Sequence, residues 1–331
     1  MIIAEIAQAH DGSLGTAHAY IDALADTGVD AIKFQTHIAD AESSIHEPFR
    51  VKFSRQDNTR MDYWRRMEFS LPQWMELSEH AIDRGLELIS SPFSNLAVDW
   101  LEKVGVKRYK IGSGEVSNLL MLEKICETGK PIILSSGMSS WEELDRTVSF
   151  IQGFGNPLSI LQCTTAYPTV PGQWGLNVIS ELKNRYNLPI GFSDHSGDIF
   201  ASLAAATLGA EIFEFHVVFD KRQFGPDTPA SITIDQTKTL VYGIEQIQDA
   251  LMKPIVKEDI SAFENLKQIF EKSLAVNCDL KAGEILTKAH LESKKPKGFG
   301  INAGDFQKVI GKRLKVDLKK WDFINWSDLE S

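Results

Sequence analysis

The sequence predicts an α/β fold, a (β/α)8 TIM barrel followed by a small domain of short strands and turns, and three observations carry that expectation. Between Met1 and Leu251, apolar runs of strand length alternate eight times with stretches of helical spacing. Such alternation argues for one parallel sheet, and eight units in about 250 residues is the size of a closed barrel ringed by helices. After Leu251 the alternation stops, and Ser273 to Ser331 reads as short strands and turns.

Taken in order, Met1 to Ile6 is the first strand, ended by Glu5 and the turn-prone Gln8 to Gly12, and Leu14 to Thr27 is its helix. Ala31 to Gln35 is the second strand, and its helix, Leu71 to Arg84, stops at Gly85. The pattern recurs as Leu86 to Ser91 with Leu96 to Val104, Arg108 to Ile111 with Leu119 to Thr128, and Pro131 to Ser135 with Ser140 to Phe154. It continues as Leu158 to Cys163 with Leu176 to Tyr186, Pro189 to Ser193 with Asp198 to Leu208, and Glu211 to Val217 with Thr233 to Leu251. The domain boundaries expected from this are 1–252 for the barrel, 253–272 for a linker with a short helix, and 273–331 for the small domain.

Composition excludes several classes of function. The net charge of −10 comes without the basic stripe that duplex nucleic acid demands. Cys126, Cys163 and Cys278 are odd in number, far apart and without CxxC spacing, so neither a disulfide framework nor a structural zinc site is expected. The chain opens without a signal-peptide pattern, and no run approaches membrane-spanning length, so a soluble cytoplasmic protein is expected.

Barrels of this type place their chemistry at the carboxyl ends of the strands. Those ends carry Glu5, Lys33 with Gln35, Ser91, Lys110 with Ser113, Ser135 with Ser136, Thr164, His195 and His216. Each serine or threonine has an alternative reading as a helix cap. Lys33, between Ile32 and Phe34, and Lys110, between Tyr109 and Ile111, interrupt apolar strands and are expected to point into the barrel. A buried ammonium requires an anion, either a ligand or a carboxylate such as Glu5 or Glu115. Two lysines and several hydroxyls on one rim suit a small phosphorylated acid. His195 and His216 end consecutive strands joined by the small-residue helix Ala201 to Leu208, so both imidazoles are expected to face one cavity. The pair suits a divalent transition metal with open coordination positions, against the alternative that each ring only caps its strand.

The connection from Thr36 to Ser70 carries Arg50, Lys52, Arg55, Asn58, Arg60, Tyr63 and Trp64, and is read either as an ordered cover over a substrate or as a solvated excursion. In the tail, the lysines of Lys294-Lys295-Pro296-Lys297 are either a solvated turn or a reach towards an acidic ligand on a partner's barrel.

The ordered series Ile3-Ala4-Glu5-Ile6, Ile32-Lys33-Phe34-Gln35, Ser91-Pro92-Phe93, Lys110-Ile111-Gly112-Ser113-Gly114-Glu115, Leu134-Ser135-Ser136-Gly137-Met138, Ser193-Asp194-His195, Glu214-Phe215-His216 and Gly225-Pro226-Asp227 resembles the sialic acid (nonulosonate) synthase family. The tail, with Lys281 to Thr287, resembles the antifreeze-like (SAF) domain that closes those enzymes. The resemblance implies condensation of phosphoenolpyruvate with an N-acylated mannosamine-type sugar, giving a nine-carbon 2-keto acid and phosphate. It implies a divalent metal, Mn2+, Mg2+ or Co2+, on His195 and His216. It places phosphoenolpyruvate on Lys33, Ser91, Lys110, Ser113, Ser135 and Ser193, and the sugar or attacking water near Glu5, Gln35, Phe93, Glu115 and Tyr167. It also implies a domain-swapped homodimer in which Lys295 reaches the sugar.

Three positions depart from the family pattern: Ala9 stands where an Asn is usual, Phe215 where a basic residue is common, and Lys295 where an Arg precedes Pro-Gly. Lysine keeps the charge and loses the planar fork, which points to an unusual sugar such as a 6-deoxy diacetamido precursor of legionaminate type. Two alternatives stand beside this reading. One is a synthase of a shorter 3-deoxy-2-keto sugar acid from a phosphorylated sugar, and the other a catalytically silent sugar-binding barrel.

Overall fold

Each of the first eight strands has two faces, and this alternation, with a period of two residues, builds the barrel. A computed structural model describes residues 1–330 and divides into two units, Met1–Lys253 and the remainder from Pro254. In the first unit the strands are β1 (Ile2–Glu5), β2 (Ala31–Thr36), β3 (Glu87–Pro92), β4 (Tyr109–Ile111), β5 (Ile132–Ser135), β6 (Leu158–Cys163), β7 (Ile190–Asp194) and β8 (Ile212–Val218). They pair in parallel in chain order, and β8 returns to β1, closing the sheet. The predicted barrel is therefore the observed one. A two-residue strand, β9 (Ile232–Thr233), extends the end of β8 and was not anticipated.

Outward-facing strand residues, among them Ala4, Ile32, Phe34, Tyr109, Leu134, Ile160, Phe192, Phe213 and Phe215, pack in one buried cluster with residues of the helices. The helices are α1 (Leu14–Ala25), α2 (Ala39–Glu42), α3 (Arg60–Met67), α4 (Leu71–Asp83), α5 (Asn95–Val104), α6 (Leu119–Glu127), α7 (Trp141–Phe154), α8 (Leu176–Tyr186), α9 (Phe200–Thr207) and α10 (Ile234–Met252). Burying each large apolar side chain of this layer stabilises the fold by about 1.5–3 kcal/mol. Local signals set the ends: Ser140 and Glu143 form a capping box at the start of α7, and Thr233 and Gln236 another at α10.

Inward-facing residues form two storeys. Ile3, Ala31, Ile89, Ile133, Leu161 and Ile212 make an apolar floor. Two residues further along their strands stand Glu5, Lys33, Ser91, Ser135, Cys163 and Glu214. Gly191 of β7 faces the floor, where a Cβ would lie 2.3 Å from the Ile212 carbonyl oxygen and 2.4 Å from a Leu161 methyl. Any side chain there would collide with the floor beneath the polar storey.

The long connection between β2 and α4 is ordered. Tyr63, Trp64 and Met67 of α3 bury themselves with Ala39 of α2, and Phe49 and Phe53 pack against them. Thr59 and Asp62 cap α3 reciprocally, and Arg66 ties it to Asp57 and Asp11.

In the second unit, α11 (Glu264–Phe270) precedes an antiparallel pair, β10 (Ser273–Val276) with β11 (Leu291–Lys294), and α12 (Phe306–Val309) follows. Leu274, Val276, Leu286, Ile301, Val309, Leu314 and Ile324 form its small core. Among the described residues, no helix is long and apolar enough to cross a membrane.

Candidate active site

Register brings the polar storey together. Glu5 stands opposite Lys33 on one side and His216 on the other. Gln35 is level with Ser91, Cys163 with Ser193, and Ser193 with Glu214. The carboxyl ends of all eight strands thus converge on one cavity lined by Glu5, Lys33, Gln35, Ser91, Phe93, Lys110, Ser113, Ser135, Cys163, Tyr167, Ser193, His195, Glu214 and His216. Of the residues singled out in the sequence, Glu115 lines a neighbouring cavity instead, Ser136 lines another and donates to the Leu161 carbonyl, Thr164 donates to the Gln173 carbonyl outside the cavity, and Lys295 lies in the second unit, exposed, with its ammonium over the ring of Phe270.

Both expected inward lysines are buried, and both are paired. Lys33 Nζ lies 2.5 Å from Glu5 Oε1 and 3.7 Å from Glu214 Oε2. Lys110 Nζ lies 3.1 Å from Glu214 Oε1 and donates to Ser135 Oγ at 2.8 Å. Ser193 donates to Glu214 at 3.0 Å. These four charged side chains are only 2–3% exposed. Burial resists ionisation of Glu5, but Lys33, His216 and Lys110 outweigh it and hold the carboxyl well below the usual carboxylate range. Burial likewise works against the Lys33 ammonium, and Glu214 and Glu5 more than reverse it. Both groups stay charged, and two cations against two carboxylates make the quartet neutral.

Across the cavity, the rings of His195 and His216 lie 5.2 Å apart. Tyr167 stacks on His195 at 4.1 Å and meets His216 edge-on. His195 Nδ1 is 2.9 Å from the Thr164 carbonyl, to which it donates, leaving Nε2 free. His216 Nε2 lies 3.2 Å from Glu5 Oε2. Burial opposes a charge on His195, while Cys163 and the Thr164 carbonyl favour it, and the imidazole is raised to about 9. His216 is lowered, chiefly by burial. A ring oriented through its other nitrogen is the usual arrangement of a metal-binding histidine, and a cation bound at His195 would release a proton. The two imidazoles are the residues that could hold a divalent cation, although among the described residues no group of three or more His, Cys, Asp or Glu side chains is arranged to hold a metal ion.

Phe215 points away from all of this. It is buried in the outer layer against the helices, so its departure from the family pattern is a matter of packing. Gln8, next to Ala9, is buried and accepts from Tyr63 Oη at 2.5 Å.

Sequence reasoning missed four features. Glu214, quoted only within a motif, is the carboxylate that faces both Lys33 and Lys110. Cys163, which the sequence offers only as a strand end and in the cysteine count, lies in the cavity wall with Sγ 3.9 Å from His195 Nδ1. Arg50 was noted as a loop cation, but nothing predicted that it lies over the Tyr167 ring at 4.1 Å and pairs with Asp227 at 2.7 Å. His37 was passed over, although it continues the inward alternation of Lys33 and Gln35. Its ring is sandwiched between Trp64 at 3.8 Å and Phe93 at 4.7 Å. Together with Gln8, Gln35, Glu42, Glu47, Arg60 and Glu115 it lines an outer cavity of 340 Å3 that shares Gln35, Phe93, Ser113 and Tyr167 with the inner one. The inner cavity has a volume of 60 Å3. The outer one has the volume of a small-molecule pocket.

With this geometry in view, the likeness to known proteins takes on chemical content. The chain is 34% identical over 330 residues to N,N'-diacetyllegionaminic acid synthase of Campylobacter jejuni subsp. jejuni serotype O:2, covering 98% of each protein. It is 32% identical to the human N-acetylneuraminate-9-phosphate synthase, covering 98% of this chain and 90% of that one. Among solved structures it is similar to the N-acetylneuraminic acid (sialic acid) synthetase of Leptospira borgpetersenii serovar Hardjo-bovis in complex with citrate, with a TM-score of 0.71 and 29% identity over 80% of this chain and 90% of that one. Residues 271–330 match the SAF domain. Residues 20–255 match the model of the NeuB family, and the chain belongs to that family.

Proposed function

We propose that this protein is a nonulosonate synthase, a C–C bond-forming transferase that condenses phosphoenolpyruvate with an N-acylated mannosamine-type sugar and releases phosphate. The observation that carries the reading is the buried quartet of Lys33, Lys110, Glu5 and Glu214, ringed by Ser135 and Ser193 and facing the His195–His216 pair. Folding alone does not ask for two buried ammonium groups at this depth. Their placement beside hydroxyls in one inner cavity supports binding of the phosphate and carboxylate of phosphoenolpyruvate by Lys33, Ser91, Lys110, Ser113, Ser135 and Ser193.

In this mechanism C3 of the enol attacks the aldehyde carbon of the open-chain sugar. The new bond leaves cationic character at C2, beside which Glu5 remains ionised, and a fixed carboxylate there stabilises the developing charge. Water adds to C2, and the resulting hemiketal phosphate loses phosphate. Gln35 and Tyr167 border both cavities, which supports a role for them in holding the sugar. A divalent cation, Mn2+, Mg2+ or Co2+, held by His195 and His216 would supply Lewis-acid polarisation of the aldehyde. Phe93 forms one wall between the cavities, and Glu115 lies on the outer one, where burial raises its carboxyl.

The sugar proposed is N-acetylmannosamine or 2,4-diacetamido-2,4,6-trideoxymannose, the second favoured by the relative named for diacetyllegionaminic acid. A homodimer in which Lys295 reaches the sugar of the partner subunit belongs to the same proposal, as does a cytoplasmic location; both rest on the family resemblance. The test is to incubate the protein with phosphoenolpyruvate, Mn2+ and a panel of acylated hexosamines, following phosphate release and product mass. A product heavier than the sugar by the three-carbon unit is expected. Phosphate release that no acylated sugar stimulates would refute the reading.

A further inference from the structure

A chain of buried polar side chains runs from the ordered β2–α4 connection into the catalytic storey. His37 Nδ1 lies 2.7 Å from Glu42 Oε1, and His37 Nε2 lies 3.1 Å from Gln35 Oε1. Gln35 in turn donates from Nε2 to Glu5 Oε1 at 2.9 Å. The direction of these bonds is fixed by chemistry. Glu5 Oε1 already accepts from the Lys33 ammonium at 2.5 Å, so Gln35 must turn its NH2 towards it and its carbonyl towards His37. The carbonyl is an acceptor, so Nε2 of His37 donates to it. The His37 and Glu42 side chains are 4% and 6% exposed, and the imidazole is held between the Trp64 and Phe93 rings.

We propose that His37 is a positioning residue for Glu5, acting through the Gln35 amide; this rests on the function proposed above. Gln35 has little else to fix its orientation: its Oε1 has one further partner, Gln8 Nε2 at 3.5 Å. Without the His37 donor the amide is free to turn its carbonyl towards Glu5, which removes a donor from one carboxylate oxygen and places an acceptor beside it. Glu5 would then be held by Lys33 and His216 alone, shifted relative to the carbon where positive charge develops. Glu42 completes the device by fixing the ring from its far side. The aromatic walls hold the imidazole plane so that its Nε2 edge meets Gln35.

Two variants separate hydrogen bonding from packing. His37→Phe keeps a ring between Trp64 and Phe93 and removes the donor to Gln35; His37→Gln keeps a donor and gives up the stack. Positioning predicts that His37→Phe lowers kcat by about 10- to 100-fold, the scale of a lost hydrogen bond in a charged network, with the KM for phosphoenolpyruvate unchanged. His37→Gln is expected to recover kcat to within a few-fold of wild type. A second readout does not depend on turnover: the Gln35 side-chain amide resonances should be sharp and slow to exchange in wild type and His37→Gln, and broadened in His37→Phe. If His37→Phe keeps its kcat while the wild type turns over, or if the Gln35 resonances are the same in both variants, the assignment is overturned. Absence of wild-type turnover refutes the reaction itself and leaves the resonances to decide the role of His37.

Discussion

Replacing Glu214 with Gln tests the buried quartet directly. The substitution keeps the shape and removes the one carboxylate that faces both lysines. Lys33 retains Glu5 at 2.5 Å. The loss therefore falls on Lys110, whose remaining polar partner is the Ser135 hydroxyl at 2.8 Å. An ammonium 2% exposed and stripped of its counter-charge should cost about 3–5 kcal/mol, the range for breaking a buried ion pair by removing one partner. For a unit of this size, 1 kcal/mol moves the midpoint by about 2–4 °C, so the barrel transition should fall by about 6–20 °C. Calorimetry on the full chain, following the larger transition, measures the shift. Inorganic phosphate should return part of it, since an anion that binds the folded state beside the freed lysine stabilises by mass action. A fall of less than about 3 °C, or one that phosphate leaves untouched, would falsify the view that Glu214 stores the positive charge used for the substrate.

Three further outcomes are expected. His195→Gln and His216→Gln should each abolish Mn2+-dependent phosphate release and Mn2+ binding followed by electron paramagnetic resonance; if both persist, the histidines do not hold the metal. Gly137→Ala places a Cβ 2.5 Å from the Ser113 and Thr165 hydroxyls, so Ser113 Oγ must rotate away from the backbone N–H that it now accepts at 3.1 Å, raising the KM for phosphoenolpyruvate by about tenfold with a near-normal melting temperature. An unchanged KM removes Ser113 from the anion site. Lys295→Ala should raise the KM for the sugar and leave that for phosphoenolpyruvate alone, whereas equal KM values for the sugar would remove the reach across a dimer.

The barrel was legible because its signals are local and repeat. Two-residue alternation exposes Lys33 and Lys110 as anomalies within apolar strands, and strand ends locate the hydroxyls and histidines without any knowledge of pairing. Partnership was less legible. Glu5 was read as a partner for a buried lysine, but which carboxylate meets which ammonium depends on closure of β8 onto β1, a contact between residues more than 200 positions apart. Glu115 was an equally good candidate from its position in the chain. The turn Ser113–Glu115 after β4 instead directs it to the outer cavity, where Asn118 donates to it at 2.8 Å. Arg50 shows the limit most clearly: nothing local says that this loop cation crosses the rim to pair with Asp227, 177 positions away, over the face of Tyr167.

The charge balance of the site bears on why two histidines stand opposite two lysines. Lys33 and Lys110 are matched by Glu5 and Glu214 before any substrate binds, which is how a barrel interior can hold two ammonium groups without an uncompensated charge. Phosphoenolpyruvate entering this neutral quartet brings excess negative charge among charged side chains that are only 2–3% exposed. The lysines attract it, but they are shared with carboxylates that cannot leave. Balance then requires positive charge on another wall; His195, raised to about 9, carries one there, and a divalent ion on His195 and His216 would replace that proton with a larger charge. On this reasoning anion and cation binding are coupled: Mn2+ should tighten phosphoenolpyruvate binding, and phosphoenolpyruvate should tighten Mn2+ by the same factor, as linkage demands. Titrating each in the presence and absence of the other measures both factors. Equal affinity for phosphoenolpyruvate with and without Mn2+ would show that the quartet alone accommodates the anion, and the histidine pair would then need another reason to face it.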